Sequence, residues 1–372
     1  MASGHLSQPL PVNTTSAIPS LAHPRRSTGP GDFEILTSAA PASTVTAWRD
    51  FLTRADFACH YVTPEFFAEP LFTARQPFAV LVRQRDAVVA VCTGILDHRT
   101  AQCGLMSRPQ LAVDPAADQI QLARSLATAL RQVHPQANAV RLFAWRPLPG
   151  LTALSYREQV YSDHAGIVLL DLRRGPDALF REFSESRRAN IRKAMRRGIE
   201  VAEATADEEI STYYDIYKEW SRRKNQPALD YDLFLRTVQS RSNRRLFLAR
   251  YEGTIIAGVS VRFCPGGVIE YAANASLKAD QSLRPNDLLH WRVIEWACAE
   301  GFQTYSLGGA HLFLRRFGGT LVNTYEYRLD RTFGRRLEAR DRLVDTARSL
   351  WRQLPEPLRM RIRPSGHHPS QE

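Results

Sequence analysis

The sequence is poor in lysine, and this shortage shapes its charge. Lysine occurs only at positions 193, 218, 224 and 278, so arginine carries nearly all of the positive charge of a chain whose formal net charge is +11. Arginine suits two-pronged recognition of phosphate or carboxylate, although a GC-rich genome would also raise its content. The basic total favours acidic partners such as nucleotides, coenzyme A, tRNA or lipid headgroups without choosing among them.

Long apolar runs and paired cysteines are also missing. No stretch approaches the roughly 18 to 20 apolar residues of a membrane span, and the N-terminus lacks the pattern of a secretory signal. We therefore expect a cytoplasmic protein with no membrane span. The cysteines at 59, 92, 103, 264 and 298 are odd in number and have no C-x-x-C spacing. This pattern fits neither a disulfide framework nor a zinc site, so we expect no metal.

The two ends of the chain differ in composition from its middle. Residues 1–31 are rich in Ser, Thr, Pro and Gly and have no apolar period, which predicts a disordered arm. The pattern predicts an N-terminal lobe over 32–160 and a C-terminal lobe over 161–335. A C-terminal helix and a basic tail are predicted over 336–372.

A repeat with an offset of 167 residues organises the two lobes. The hairpin-like run 78–96 returns at 245–263, the helical pattern 119–133 returns at 286–300, and the strand at Val140 falls close to Tyr305. One shift that aligns a hairpin, a helix and a strand indicates duplication. The sequence thus predicts an α/β (α+β) protein with two similar lobes, each a mixed, largely antiparallel sheet flanked by helices.

Four motifs of the second lobe carry a resemblance to a known family. They are the basic helix at 186–198 (SRRANIRKAMRRG), the helix opening at 283–291 (LRPNDLLHW), the strand at 305–309 (YSLGG) and the turn at 317–319 (FGG). Together they resemble the GNAT-superfamily acyltransferases, and the duplicated lobe resembles the FemAB-like family. The resemblance rests on motifs over 175–330 and on the order of elements alone over 33–150.

This resemblance implies a transferase. The expected enzyme is an N-acetyltransferase-like acyltransferase (EC 2.3) that moves an acyl group from acetyl-CoA or another acyl-CoA to an amine. The amine would belong to a sugar, a cell-envelope precursor or a small metabolite, and the acceptor could contain phosphate. Aminoacyl-tRNA-dependent FemAB-type transfer is an alternative, but no long heptad run suggests the coiled-coil arm of such members. A non-catalytic nucleic-acid-binding or structural lobe pair is the other alternative. The sequence leaves the oligomeric state open.

The candidates for proton transfer in the second lobe are Glu270, Tyr271, Asp287, His290 and His311, and we predict that Glu270, Tyr271 and His311 are the catalytic ones. Glu270 and Tyr271 are neighbours on a predicted strand, so they face opposite sides and at most one of them lines a given cleft. His311 follows a strand, where loops of α/β folds often carry function. His290 lies among apolar residues and is expected to be a core histidine.

Five residues are the candidates for binding phosphate. Arg188 and Arg192 share one face of the basic helix, where like charges repel and an anion would offset the repulsion; a plain solvated face is the other interpretation. Arg284 and Asn286 lie at the start of the helix after the 268–274 strand, where a pyrophosphate would sit. Arg315 adjoins Leu314, and Leu314 replaces the lysine common in the family. The side chain of Arg315 should point in a different direction from that of Leu314. The first lobe has acids at 114–119, so we expect the cleft in the second lobe.

Overall fold

The computed structural model describes residues 25–27, 33–69, 72, 75–162, 165–239, 242–309 and 312–353. Within these ranges the strands are β1 Arg25–Ser27, β2 Phe33–Leu36, β3 Pro77–Gln84, β4 Ala87–Asp97, β5 Thr100–Leu105, β6 Arg108–Pro109, β7 Leu111–Val113, β8 Ala139–Ala144, β9 Arg157–Tyr161, β10 Ile167–Asp171, β11 Glu200–Glu203, β12 Arg244–Tyr251, β13 Thr254–Phe263, β14 Val268–Ser276, β15 Thr304–Gly309, β16 Thr320–Val322 and β17 Thr324–Asp330.

The helices lie between these strands and cover the sheets. They are α1 Ala42–Leu52, α2 Pro64–Phe67, α3 Gln119–Val133, α4 Pro149–Thr152, α5 Pro176–Glu182, α6 Glu185–Arg196, α7 Asp207–Arg223, α8 Tyr231–Val238, α9 Pro285–Ala299, α10 Leu312–Arg315 and α11 Arg336–Gln353. The basic helix predicted at 186–198 corresponds to α6, and α5 precedes it as a separate helix. The break is at Phe183 and Ser184, where the Ser184 hydroxyl accepts a hydrogen bond from the Arg187 N–H and begins α6.

Two mixed sheets form the two lobes. The first has the order β1-β2-β3-β4-β5-β8-β17-β9, with β6 paired to β5 and β7 paired to β4. The second has the order β11-β12-β13-β14-β15-β10-β16. In each sheet only one pair of neighbours is parallel, β5 with β8 in the first and β14 with β15 in the second. The predicted fold class, two GNAT-like lobes with largely antiparallel sheets, is confirmed.

The duplication extends to irregularities of the backbone. The hairpin β3–β4 turns at Arg85 and Asp86 and the hairpin β12–β13 turns at Glu252 and Gly253, and all four residues have positive φ. Such turns match the right-handed twist of the paired strands. Both hairpins also have a register shift at the same place, after Val82 in one and after Ala249 in the other (249 − 82 = 167). The predicted superposition of 78–96 on 245–263 agrees with this correspondence.

The lobes exchange a strand. β10 directly follows the first lobe in sequence but pairs with β15 in the second sheet, whereas β17 follows the second lobe and lies between β8 and β9 of the first sheet. The predicted boundaries, 32–160 and 161–335, are therefore wrong for β17. Only Asn323 separates β16 from β17, yet these two strands lie in different sheets. Local apolar pattern specifies a strand but not which sheet it joins.

The predicted arm and tail are only partly described. Arg25–Ser27 pairs antiparallel with β2, so the prediction of a disordered arm over 1–31 is wrong for these three residues. An edge strand offers unpaired backbone groups that a polar segment can satisfy, and hydrophobic burial is not needed for this. The described residues do not include the remainder of the predicted arm, 1–24 and 28–31, or residues 354–372 of the basic tail.

Candidate active site

An opening in the second sheet marks the site. β14 and β15 pair only through Val268, Ile269 and Glu270, and β14 then continues to Ser276 without β15 among the described residues. A register shift against β13 accompanies Tyr271 and leaves Ala272 as an extra residue. Such a bulge redirects side chains and ends regular pairing. The strand edge beyond Glu270 is therefore available to a ligand.

Helix α9 begins beside this opening with a free N-terminus. Pro285 occupies the first position, and Arg284 before it has φ 67° and provides no side-chain cap. In the first lobe, by contrast, Asp118 accepts hydrogen bonds from the N–H groups of Ile120 and Gln121 and so closes the start of α3. The positive end of a helix dipole attracts anions, so the second lobe has the helix start suited to phosphate.

Two predicted phosphate ligands lie at this helix start. Arg284 is exposed, and Asn286 donates a hydrogen bond from Nδ2 to Ser276 Oγ at 3.4 Å, which links α9 to the end of β14. The Oδ1 atom of Asn286 is buried and has no hydrogen-bond partner. The structure thus brings Arg284 and Asn286 together with the end of the opened strand.

A buried arginine, Arg187, fixes the helices around this point. Its guanidinium pairs with Asp287 of α9 and donates to the carbonyl of Phe313 at 2.6 Å. It also lies 4.0 Å from the ring centre of Phe313 and 4.3 Å from that of Phe317. Burial lowers the pKa of Arg187, and the nearby charges of Arg316 and Arg284 act in the same direction. One side chain therefore joins α6, α9 and α10.

The other predicted phosphate ligands have different surroundings. Arg188 donates to the carbonyls of Arg181 and Phe183, and the Arg192 guanidinium lies 5.5 Å from the ring centre of Phe180. These contacts offset the like charges of the basic helix without an anion. Arg315 is exposed on α10 while Leu314 is buried, so the two side chains point apart as expected. Phosphate binding by Arg188, Arg192 and Arg315 stays a prediction.

Glu270 is a buried acid of the site with a raised pKa. It is buried opposite Arg262 of β13, and its Oε2 atom has no hydrogen-bond partner. Burial raises the pKa of Glu270 to about 7, although the charges of Arg262 and Arg108 and the backbone N–H of His60 oppose the rise. A carboxyl group that titrates near neutral pH is suited to accept a proton.

A cavity of about 230 Å³ lies on the same side of the sheet. Its walls include Tyr213 and Tyr217 of α7 and Phe234 of α8. Four arginines also line the cavity. Arg108 comes from the first lobe, and the second lobe contributes Arg244, Arg245 and Arg262. The cavity thus combines an aromatic wall with concentrated positive charge.

The first lobe seals this region with a polar cluster that the sequence did not predict. His60 Nε2 lies 3.2 Å from Glu69 Oε1, and Arg244 of β12 pairs with Glu69 at 2.7 Å. Burial lowers the pKa of His60 to about 3, so the imidazole is neutral. Burial alone would raise the pKa of Glu69, but its bonds with His60 and Arg244 lower it to about 2. No sequence signal connects residues so far apart.

Tyr271 lies on the opposite side of β14 from Glu270, as their adjacency requires. Its hydroxyl donates to Asn274 Oδ1 at 3.0 Å, and burial raises its pKa to about 12. Its ring centre is 5.0 Å from that of His290, a fully buried histidine whose pKa burial lowers to about 3. The interpretation of His290 as a core residue agrees with this burial. His311 lies outside the described residues.

The described residues contain neither a metal-binding cluster nor a membrane-spanning helix. No group of three or more His, Cys, Asp or Glu side chains in them could hold a metal ion. None of the helices in the described part of the chain is long and apolar enough to cross a membrane.

Comparisons with known proteins agree with this geometry. Residues 185–327 match the family model described as an acetyltransferase (GNAT) domain. No curated protein matches the sequence. FemX matches with 14% identity and a TM-score of 0.63 over 77% of this chain and 96% of its own.

Two further solved structures have similar folds. The C-terminal domain (DUF2156) of a putative lysylphosphatidylglycerol synthetase from Agrobacterium fabrum has 14% identity and a TM-score of 0.55, over 82% of this chain and 97% of its own. A tandem GNAT protein from the clavulanic acid biosynthesis pathway has 15% identity and a TM-score of 0.52, over 82% and 99%. The GNAT acyltransferase domain predicted for the second lobe is confirmed over residues 185–327, and the folds of FemX and the tandem GNAT protein agree with the predicted duplicated lobe.

Proposed function

Since residues 185–327 form a GNAT acetyltransferase domain, we propose that this second lobe transfers an acyl group from acyl-CoA to the amine of an acceptor in the cytoplasm. The observation that carries this proposal is the position of Glu270, where the opening between β14 and β15 begins and directly across from Arg262, which lines the cavity. The donor would enter through the opening, and the acceptor would occupy the cavity.

The donor's phosphates would lie at the start of α9. There the uncapped N–H groups, Arg284 and Asn286 supply donors and positive charge, and Arg316 adds a further charge close to Arg187. The acyl arm would run along the free edge of β14 beyond Glu270. The first lobe would not bind a donor in the same way, because Asp118 occupies the equivalent helix start.

The chemistry is a nucleophilic acyl substitution. The acceptor nitrogen attacks the thioester carbonyl carbon, the new C–N bond forms, and the C–S bond breaks as the thiolate leaves. Glu270, acting directly or through one water, takes the proton that the amine must lose, and the thiolate receives a proton from solvent. Backbone N–H groups at the free strand edge can stabilise the developing oxyanion. Tyr271 lies on the other face, so we assign the base role to Glu270 alone.

The first experiment measures donor binding. The melting temperature of the purified chain is recorded with acetyl-CoA, longer acyl-CoAs and coenzyme A in parallel, because a ligand that binds only the folded state raises it. We expect a rise with each. Acyl transfer is then followed as thiol release from acetyl-CoA with panels of amino sugars, cell-envelope precursors and amino metabolites.

Aminoacyl-tRNA-dependent transfer is the second candidate. It is favoured by the likeness to FemX, which has a higher TM-score than the tandem GNAT protein. An unchanged melting temperature with every coenzyme A derivative, together with binding of aminoacyl-tRNA in a gel-shift assay, would replace the first candidate by this one.

A further inference from the structure

We infer that the acceptor is a small amine that also carries a carboxylate or phosphate group, and that Arg262 and Arg108 bind this group. The inference rests on the proposed function, because it names the substrate class of the same site. It begins from two arginines of the cavity whose side chains form no ion pair or hydrogen bond with any described residue.

Of the two arginines, Arg262 gives the stronger evidence for an anion site. Its side chain lines the cavity and is only 9% exposed, yet it forms no hydrogen bond or ion pair with any described residue. Its Nε atom is buried without a partner, and its guanidinium lies 4.5 Å from the ring centre of Tyr61. Burial lowers the pKa of Arg262 to about 10. A buried guanidinium without an acceptor is costly, so a ligand oxyanion would satisfy it.

Arg108 brings a second charge from the first lobe. It is half-buried at the cavity and has no ion pair within the described residues. The two other arginines of the cavity differ, because Arg244 pairs with Glu69 and Arg245 pairs with Glu203. Arg262 and Arg108 are therefore the two cavity arginines without an ion pair among the described residues, and they come from different lobes.

The position of Glu270 places the amine close to the oxyanion. Glu270 is the direct partner of Arg262 across β13 and β14, and directly opposed side chains on neighbouring strands begin about 5 Å apart. An amine beside Glu270 and an oxyanion at Arg262 would thus be separated by few bonds. Tyr213, Tyr217 and Phe234 give the rest of the cavity an apolar wall. These features together fit an amino acid or aminophosphonate with an apolar or aromatic side chain.

The experiment compares acceptors that differ only in the oxyanion. The carboxylate arm contains L-leucine, L-phenylalanine and L-tyrosine, the second arm contains their aminophosphonate analogues, and the third contains isoamylamine, 2-phenylethylamine and tyramine. Thiol release from acetyl-CoA is measured with the wild type and with Arg262→Gln, Arg108→Gln and Arg250→Gln. The last variant is the control, since Arg250 belongs to β12 of the same sheet but is paired with Glu209 and is not part of the cavity wall.

We expect kcat/KM at least 100-fold higher for one oxyanion arm than for the simple amines. Arg262→Gln and Arg108→Gln should each raise KM for that arm at least 10-fold more than they raise KM for the simple amines, and the control Arg250→Gln should change KM for either class by less than 3-fold. Whichever of the two oxyanion arms is preferred identifies carboxylate or phosphate. Equal use of simple amines, or equal loss in all arms, would overturn the inference.

Calorimetry without donor separates this inference from the proposed function. If no amine releases thiol, the proposed transfer fails, but L-phenylalanine and its aminophosphonate can still be titrated into the wild type and into Arg262→Gln. Binding that Arg262→Gln abolishes supports the anion site by itself, and no binding by the wild type overturns it. Circular dichroism checks the fold of Arg262→Gln. Should that variant not fold, the half-buried Arg108 provides the comparison.

Discussion

Arg187 of α6 and Asp287 of α9 form a buried ion pair at the start of the helix that faces the strand opening. Both side chains are almost fully removed from solvent. Asn190, which belongs to α6 like Arg187, donates a hydrogen bond from Nδ2 to the Asp287 carboxylate at 3.3 Å. The pair therefore sets the position of α9 relative to α6, and with it the position of the helix N-terminus.

Loss of Arg187 should destabilise the fold. Arg187→Ala leaves the Asp287 carboxylate buried and unpaired, which costs about 3 to 5 kcal/mol in comparable cases. The measurement is the free energy of unfolding in guanidinium chloride. The control is Arg192→Ala on the same helix, an exposed position where a change within about 0.5 kcal/mol is expected. Equal effects of the two variants would show that the pair does not stabilise α9.

Loss of the Glu270 carboxylate should abolish most of the acyl transfer. Glu270→Gln removes the proposed base, a contribution of roughly 10²- to 10⁴-fold in kcat. In the wild type, kcat/KM should rise with pH through about 7, the pKa of the buried carboxyl, and this limb should be absent from the variant. Glu200→Gln, an exposed glutamate of the same sheet, is the control. A variant that keeps the wild-type rate and pH profile contradicts the assignment.

The same carboxyl should make stability depend on pH. Because burial raises the pKa of Glu270 from 4.5 to about 7, its neutral form stabilises the fold fully below pH 4.5, and this contribution is lost as pH rises through 7. Gln at position 270 stays neutral. The free energy of unfolding of Glu270→Gln relative to the wild type should therefore increase by roughly 2 to 3 kcal/mol between pH 5 and pH 8. A difference independent of pH would mean that Glu270 titrates normally.

Arg284 should separate donor affinity from stability. Its backbone has φ 67°, a conformation that glycine adopts without strain, so Arg284→Gly should leave the free energy of unfolding equal or higher. The same change removes a charge from the start of α9, and the dissociation constant for coenzyme A should rise about 10-fold or more. Arg124→Ala on α3 is the control, since it removes an exposed arginine from the equivalent helix of the first lobe. Unchanged affinity in Arg284→Gly would place the phosphates elsewhere.

Much of the fold could be predicted because short sequence patterns determine its elements and because the two lobes repeat these patterns. The hairpins, the helices α3 and α9 and the Pro285 start of α9 follow from apolar period and helix-start signals. The exchange of β10 and β17 could not be predicted, since either strand has the apolar character to fit either sheet.

The candidate site was predicted less completely. The opposite faces of Glu270 and Tyr271 follow from strand geometry alone. The roles of Arg187, Arg262 and Arg108 depend on burial and on partners far away in sequence, such as Asp287 and Tyr61. Among many arginines, the sequence could not distinguish those that are neutralised from those that are not.

The exchanged strand also bears on how the protein is made. While the ribosome is still translating the second half, the nascent first lobe has β8 and β9 but lacks β17, the strand that lies between them. The backbone edge of β8 stays unpaired until Thr324–Asp330 leaves the exit tunnel, and such edges invite pairing with other chains. The first lobe is therefore completed almost last. A stalled or truncated translation product would expose this edge and become a substrate for chaperones or proteases, even though nearly all of its own residues had been synthesised.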